Sequence, residues 1–413
     1  MDYAKAAELF AKWKALCEAD NGALWGRDLH TPLIFVDRDT REAAANVGDG
    51  EGFFTRQGDV FVGDFPVDEA IAATAIDFKG MRWALVPWEM IGMMDEDSLL
   101  NTMSHEAFHC IQRELLGKAP SDGNNSHMNE MQTRILFMLE MFVLLKALEA
   151  DGANRHNHIK NALAIRQKRH ENCPNVAAEA AFEIMEGTAV YTGVKIALPN
   201  PAAQIKHIAN YVHMAKDMQS LAGFFGYVSG ALYGLVLDAV GANWRPTLTA
   251  TDDLSKILLR TLNGEPLPTY DSINLEYYGY SEIVAAEEAK AATYNALVQE
   301  MTDLFTVAPT LRMFESGQLS INGQIIPIAA LGTVLKGNIE YFGAFGRMNV
   351  TDGAFLSRSG FFQKEGTEEK RVTAEALHID GKIVTGKNWT LELTDGWEVQ
   401  PNGQNYVLKN CPA

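Results

Sequence analysis

The chain of 413 residues is poor in cysteine and has no long hydrophobic segment. Its four cysteines are scattered and form no Cys-x-x-Cys pair, which excludes a zinc ribbon and a thioredoxin-type redox motif. Because no run of about 18 apolar residues occurs, the sequence predicts no membrane span. The N-terminus lacks the basic-then-apolar pattern of a signal peptide. We therefore expect a cytoplasmic protein if the chain is complete, and a periplasmic or secreted one if a leader was removed.

The chain also has fewer basic than acidic residues. Lysine and arginine number 35 against 53 acidic residues, which gives a formal net charge of −18. This balance argues against a general nucleic-acid binder and against anionic membrane surfaces, since both require positive charge. Cationic or neutral substrates fit the balance better. The apolar content of 47% is ample for a globular core.

Hydrophobic periodicity predicts an α+β protein with two domains. An amphipathic helix at 3–19 precedes a β-rich lobe at 20–90, with short strands at 33–37, 60–62 and 83–86. A helical lobe follows at 91–305, with helices predicted at 95–116, 126–150, 154–170, 175–194, 201–220, 227–240 and near 280–303. Gly-punctuated, alternating segments from 306 to 413 predict a separate C-terminal β domain.

The segment from His105 to His109 contains an H-E-x-x-H motif. Residues four apart share a helix face, so His105 and His109 can bind one zinc ion while Glu106 flanks the water that reacts. The surrounding helix has acidic residues at its start and Gly117 after its end, as expected for a capped helix. The other interpretation is a structural helix in which the histidines are incidental.

A catalytic zinc site normally has three protein ligands, so a third ligand must come from elsewhere in the chain. The later helix at 175–194 carries Glu179, Glu183 and Glu186 on an otherwise apolar background. At this spacing the three carboxylates share a face and repel one another unless a cation lies opposite them. Either Glu183 or Glu186 can then be the ligand, and the remaining acids can orient a ligand histidine. A solvated acidic face is the alternative.

With this motif and a downstream Glu-Gly-x-Ala-x-Tyr at Glu186–Tyr191, the chain resembles the gluzincin branch of zinc metallopeptidases, and distantly its aminopeptidases. The resemblance implies a zincin-like domain over 1–305, with Glu186 as the third zinc ligand. The stretch Gly226–Tyr233 is similar to the one whose tyrosine stabilises the oxyanion in those enzymes, which implies that role for Tyr227. The amine-binding Gly-x-Met-Glu-Asn motif is missing, so the resemblance implies no aminopeptidase specificity. The chain also resembles bacterial proteins that carry similar segments, and this resemblance implies no substrate.

The resulting hypothesis is a zinc-dependent hydrolase of peptides or proteins, with Glu106 as the general base. The alternative is a binding protein that keeps the fold, with a structural metal or none.

Two further residues are candidates for the cleft. They are Tyr191 and, in the polar loop 121–127, His127; helix capping by Asn125 or Ser126 is the other role for that loop. The basic residues at 155–160 and 166–170 are expected to form a solvated face, with anion binding as the alternative.

Overall fold

The structure is a computed structural model of the chain. It describes residues 1–66, 69–118, 125–171, 173, 175–198, 200–328, 331–358 and 369–411. Helices hold 47% of the residues and strands 24%, so the expected α+β class with a β-rich part is confirmed. The chain divides into two units, Met1–Glu288 and Ala289–Ala413. The division lies inside a helix that ends at Val307, whereas the sequence placed a boundary at 305, close to the end of that helix.

The first unit begins with a helix and a six-stranded sheet. Helix α1 (Tyr3–Asp20) is capped by Asp2, whose side chain accepts hydrogen bonds from the amides of Ala4 and Lys5. The strands that follow are β1 (Leu33–Val36), β2 (Glu42–Ala45), β3 (Thr55–Gln57), β4 (Val60–Asp64), β5 (Thr74–Phe78) and β6 (Met81–Pro87). Their order is β3-β4-β2-β1-β6-β5, and only the β1–β6 pair is parallel. The three strands predicted from sequence correspond to β1, β4 and β6.

Strand β6 shows how this sheet holds the helices. Trp83 and Leu85 point into a small core on one face of the sheet. Ala84 and Val86, which alternate with them, belong to the large core that also contains Met103 of the following helix. The face that carries Ala84 and Val86 is therefore the one covered by helices.

The helices of the first unit include the predicted segments and two short helices, Met90–Met93 and Leu254–Arg260, that the sequence did not predict. They are α2 (Met90–Met93), α3 (Glu96–Leu116), α4 (Met131–Glu149), α5 (Gly152–His170), α6 (Val176–Phe182), α7 (Thr188–Ala197), α8 (Pro201–Asp217), α9 (Phe225–Ala239) and α10 (Leu254–Arg260). A π-helix (Glu183–Gly187) joins α6 to α7, and 3-10 turns occur at Ser126–Asn129, Arg245–Thr247, Tyr270–Ser272 and Leu275–Tyr278. Helix α11 (Tyr280–Val307) contains the division between the units.

The second unit is mainly β-structure. Its strands are β7 (Thr310–Met313), β8 (Gln318–Ile328), β9 (Gly332–Gly343), β10 (Gly346–Ser357), β11 (Lys370–Thr373), β12 (His378–Asp380), β13 (Ile383–Gly386), β14 (Trp389–Leu393), β15 (Trp397–Asn402) and β16 (Asn405–Asn410). They form one sheet of order β12-β13-β14-β10-β11-β7-β16-β15, with β9 pairing β10 and β8 pairing β9. The turns at Gly381 and Gly403 have positive φ, which glycine adopts without strain.

Two expectations from composition concern cysteines and membrane spans. All four cysteines are free thiols, and Cys17 is buried. Across the part of the chain that the structure describes, no helix has both the length and the apolar character that crossing a bilayer requires.

Candidate metal centre

Helix α3 carries the H-E-x-x-H motif in its middle. Asp95 caps the helix by accepting a hydrogen bond from the amide of Ser98, and Gly117 ends it. Because His105 and His109 are one turn apart, their Nε2 atoms lie only 3.0 Å from each other. The two rings are nearly perpendicular, with centroids 4.7 Å apart. Both nitrogens therefore face one point in space.

The structure brings Glu186 to that same point. Its Oε2 atom lies 3.6 Å from Nε2 of His105 and 3.4 Å from Nε2 of His109. The side chains of the three residues are only 10, 16 and 13% exposed for His105, His109 and Glu186. Of the two acids that the sequence left open as ligands, Glu186 is the one beside the histidines.

The three atoms fit a tetrahedral zinc ion. Zinc with bonds of about 2.0–2.1 Å separates two ligand atoms of a tetrahedron by about 3.3–3.4 Å. The observed separations of 3.0, 3.4 and 3.6 Å lie on either side of that value. Oε2 of Glu186 is buried and has no hydrogen-bond partner among the described residues, as expected of an atom reserved for a metal. The donor set of two imidazoles and one carboxylate is also typical of catalytic zinc.

Burial and mutual contact perturb the titration of these groups. Burial lowers the pKa of His105. Burial also acts to lower the pKa of His109, but the Glu186 carboxylate outweighs it and the pKa is raised. For Glu186 the two histidines overcome the effect of burial and hold the pKa of the carboxyl well below its usual range. The carboxylate is thus ionised, the state in which it binds a cation.

Glu106 lies beside this group of ligands. Its Oε1 atom is 3.9 Å from Nε2 of His105, and its Oε2 atom is buried with no partner among the described residues. Burial raises the pKa of Glu106 to about 7, and the Glu186 carboxylate acts in the same direction. His105, Glu106 and His109 together form one of the groups that can hold a metal ion.

A π-helix positions Glu186. The π-helix Glu183–Gly187 has a wider turn than an α-helix, so Glu183 and Glu186 do not share a face as the sequence spacing suggested. Close packing against α9 fixes it, because a Cβ atom on Gly187 would lie 2.4 Å from Cα of Gly230. A Cβ atom on Gly230 would in turn lie 2.3 Å from the carbonyl oxygen of Glu183. Only glycine allows the two backbones to approach this closely.

The same contact brings Tyr227 of α9 to the site. Its ring stacks on that of His105, with centroids 5.7 Å apart and an angle of 3° between the planes. Burial raises the pKa of Tyr227, and the nearby Glu186 carboxylate raises it further. The phenol therefore keeps its proton and can act as a hydrogen-bond donor.

Gln112 belongs to the candidate site, although the sequence did not indicate it. Its Oε1 atom lies 2.9 Å from Nδ1 of His109, and its Nε2 atom donates to the carbonyl oxygens of Ile184 and Met185 at 3.2 and 2.7 Å. Gln112 therefore links a ligand histidine to the π-helix that carries Glu186. Its position three residues after His109, on the same helix face, was the available signal.

Glu179 and Glu183 do not contact the histidines of the motif. Glu183 receives two hydrogen bonds from Arg166, at 2.8 and 2.6 Å, and Glu179 receives one from Arg169 at 2.6 Å. Burial acts to raise the pKa of Glu179, but the Arg169 guanidinium holds it well below its usual range. The expected cation opposite these acids is thus a pair of arginines, and the solvated acidic face is excluded.

The expected solvated basic face is wrong for those two arginines. Arg166 and Arg169 are 2% and 3% exposed and lie inside the helical core. They are three residues apart in α5, so both point to the same side and meet the acids of α6 and the π-helix.

The two proposed cleft residues also lie away from the histidine pair. Tyr191 is completely buried, and its hydroxyl donates to Oδ2 of Asp238 at 2.7 Å. His127 is buried in the 3-10 turn Ser126–Asn129, with Nε2 2.6 Å from Oε1 of Glu179. Residues 121–124 of its loop lie outside the described residues. Asn125 makes no capping hydrogen bond through its side chain, and the long helix begins later, at Met131.

A pocket of about 360 Å³ opens beside His109 and Glu186. His109, Gln112 and Glu186 form one part of its wall, and Arg82, Arg113 and Lys118 bring positive charge to it. Arg82 pairs with Asp77 at 2.8 Å, whereas Arg113 and Lys118 have no carboxylate partner among the described residues. The pocket is therefore locally basic in a strongly acidic protein.

Comparison with protein-family models, with curated proteins and with solved structures finds no match to this chain. The site must therefore be interpreted from its own geometry.

Proposed function

We propose that this protein is a zinc-dependent peptidase with a zincin-like domain of gluzincin type. In this proposal His105, His109 and Glu186 bind the metal, and Glu106 is the general base. The observation that carries the proposal is the triangle of ligand atoms, whose sides of 3.0, 3.4 and 3.6 Å suit one face of a zinc tetrahedron. The buried carboxylate of Glu106 next to that triangle favours catalysis, since a purely structural metal has no use for a base.

Each residue of the site has a role in this mechanism. Zinc bound here supplies a Lewis acid that makes water nucleophilic near neutral pH and polarises a carbonyl group. Glu106, whose Oε2 has no partner among the described residues, takes a proton from the attacking water and delivers it to the leaving amine. Tyr227, stacked on His105, donates a hydrogen bond to the oxyanion that develops on the carbonyl oxygen.

The basic pocket indicates the substrate. A peptide bond placed at the metal ligands has neighbouring groups close to Arg82, Arg113 and Lys118. These cations suit a carboxylate, either at the end of a peptide or on an acidic side chain. The cationic substrates that fitted the overall charge suit this pocket less well, because local charge governs binding at short range.

Zinc content and cleavage of a mixed peptide library, measured together, test the proposal. Glu106→Gln is expected to keep the zinc content of the native protein and lower the cleavage rate by about 10²–10⁴-fold. His109→Ala should lose one equivalent of zinc as well as cleavage. Glu114→Gln, at an exposed position of the same helix, is the matched control and should change neither. If the protein binds zinc but shows no cleavage that a chelator inhibits, this proposal is wrong and the protein is a non-catalytic binding protein.

A further inference from the structure

A second group of ligand-type side chains lies apart from the H-E-x-x-H motif. His127, Cys173 and Glu179 each present one donor atom, and all three donor atoms are mutually close. Nε2 of His127 lies 2.6 Å from Oε1 of Glu179, and Sγ of Cys173 lies 3.3 Å from the first atom and 3.1 Å from the second. The three residues come from three separate segments of the chain, so the cluster arises only on folding.

A second histidine lies on the other side of Glu179, at the end of α5. Nε2 of His170 lies 3.1 Å from Oε2 of Glu179, the oxygen that also accepts from Arg169. One oxygen of Glu179 thus faces His127 and Cys173, and the other faces His170 and Arg169. A carboxylate that binds a metal through one oxygen and an arginine through the other is fixed in orientation, as carboxylate ligands commonly are.

The charges buried around this cluster do not balance. Glu140, Glu179 and Glu183 have fully buried side chains, and the two cations that contact them are Arg166 and Arg169. Three carboxylates against two guanidinium groups leave one negative charge in a medium where an uncompensated charge is very costly.

His127 and His170 also contact Glu179 and would cancel this charge only if one of them were protonated, and the neighbouring aspartate and lysine do not change the balance. Asp253 lies 3.9 Å from Arg166, but it is offset by Lys256 at 3.4 Å. A thiolate at Cys173 would add one more negative charge, and a divalent ion would then bring the whole network to neutrality.

We propose that His127, Cys173 and Glu179 bind a second zinc-type divalent ion. Nitrogen, sulfur and one carboxylate oxygen suit zinc, whereas calcium and magnesium prefer oxygen alone. Zinc at its usual bond lengths of about 2.0–2.3 Å requires ligand atoms somewhat more than 3 Å apart, so binding spreads His127 and Glu179 by several tenths of an ångström.

The position of this site explains its use to the protein. Glu179 belongs to α6, which runs directly into the π-helix that carries Glu186. An ion bound here ties α6 to the end of α5 and to the turn containing His127. It therefore holds the base of the segment that presents Glu186 to the first metal.

Cobalt substitution of the full-length chain distinguishes the two sites. A thiolate bound to Co²⁺ gives a near-ultraviolet charge-transfer band, and the H-E-x-x-H site has no sulfur ligand. The reduced, metal-free protein is expected to bind two equivalents of Co²⁺ and to show this band. The band should disappear in Cys173→Ala, with loss of one equivalent, and persist in His109→Ala. Cys411→Ala, which removes an exposed free thiol, is the control and should retain both.

Alkylation of the native sequence gives a test that needs no variant. Zinc is expected to slow modification of Cys173 by a maleimide at least tenfold, and a chelator should restore the rate, while Cys411 reacts equally fast in both conditions. If a protonated histidine balances the buried charge instead, no thiolate band forms and zinc leaves Cys173 equally reactive. Either result overturns the second site and leaves the proposed peptidase centre unaffected. Failure of the peptidase centre would show instead as the absence of chelator-sensitive cleavage.

Discussion

The side-chain oxygen of Gln112 lies 2.9 Å from Nδ1 of His109, and this contact determines which ring nitrogen of the histidine faces the metal site. The amide nitrogen of Gln112 is already committed to the carbonyl oxygens of Ile184 and Met185. Its Oε1 atom must therefore accept, so Nδ1 of His109 carries the proton. Nε2 is left with the free electron pair that a metal requires.

We expect Gln112→Leu to weaken zinc binding at this site by about 10- to 100-fold, because the imidazole loses its fixed tautomer and orientation. The measurement is the zinc concentration that restores half of the peptide cleavage to metal-free protein. Glu114→Ala, two residues further along and exposed, is the control. An unchanged zinc requirement in the leucine variant would show that Gln112 has no part in holding the ligand.

The helix of the motif could be predicted from sequence almost to the residue. The segment 95–116 was predicted and Glu96–Leu116 is observed, since a capping Asp95 and a terminal Gly117 are local signals. Strands β2 and β3 escaped prediction because one is mostly alanine and the other is fully exposed, so neither shows a hydrophobic alternation.

The partners of the acidic residues could not be predicted in the same way. Glu179, Glu183 and Glu186 look equivalent on an ideal α-helix, but the π turn directs the last towards the histidines and leaves the others to arginines. Whether Arg166 and Arg169 are solvated depends on how α5 packs, which is tertiary information. Sequence spacing therefore located the carboxylates but could not assign their roles.

The contact between Gly187 and Gly230 predicts a sensitive position that contributes no side chain to the site. Gly230→Ala inserts a methyl group where the nearest atom, the carbonyl oxygen of Glu183, is 2.3 Å away. We expect the two helices to separate, at a cost of about 1–3 kcal/mol in the free energy of unfolding and with weaker zinc binding. Chemical denaturation and zinc titration measure the two effects.

Gly223→Ala is the control for this substitution, because a Cβ atom there meets nothing within 4 Å and φ is not positive. Equal stability of the two alanine variants would contradict the close packing of the π-helix against α9.

The charge of the pocket predicts substrate preference. Arg113 and Lys118 have no carboxylate partner among the described residues. Removing both charges in Arg113→Ala/Lys118→Ala should lower kcat/KM for peptides with a carboxylate near the cleaved bond by about 5- to 30-fold, equivalent to about 1–2 kcal/mol. Amidated peptides of the same sequence should be affected little, and added salt should reduce the difference between the two substrates. A loss of the same size for both substrates would mean that the two cations support the structure of the protein and do not bind the substrate carboxylate.

The buried group around Tyr191 predicts the response of stability to acid. Burial acts to raise the pKa of Asp238, but hydrogen bonds from Tyr191 and Trp244 and the charge of Arg245 hold it below the usual value. A carboxyl whose pKa is depressed on folding stabilises the protein above its unfolded pKa of about 3.9, and that contribution is lost as the pH falls through the folded pKa. We therefore expect the free energy of unfolding to decline below about pH 4.

In Asp238→Asn the native stability near pH 7 should be lower by about 1–3 kcal/mol, because an amide replaces a charged acceptor of buried donors. The decline below pH 4 should become shallower, since one titrating group has been removed from the folded state. Denaturant unfolding at a series of pH values measures both effects, with Asp59→Asn at an exposed position as the control. Parallel pH profiles for the native protein and Asp238→Asn would show that Asp238 titrates alike in the folded and unfolded chains.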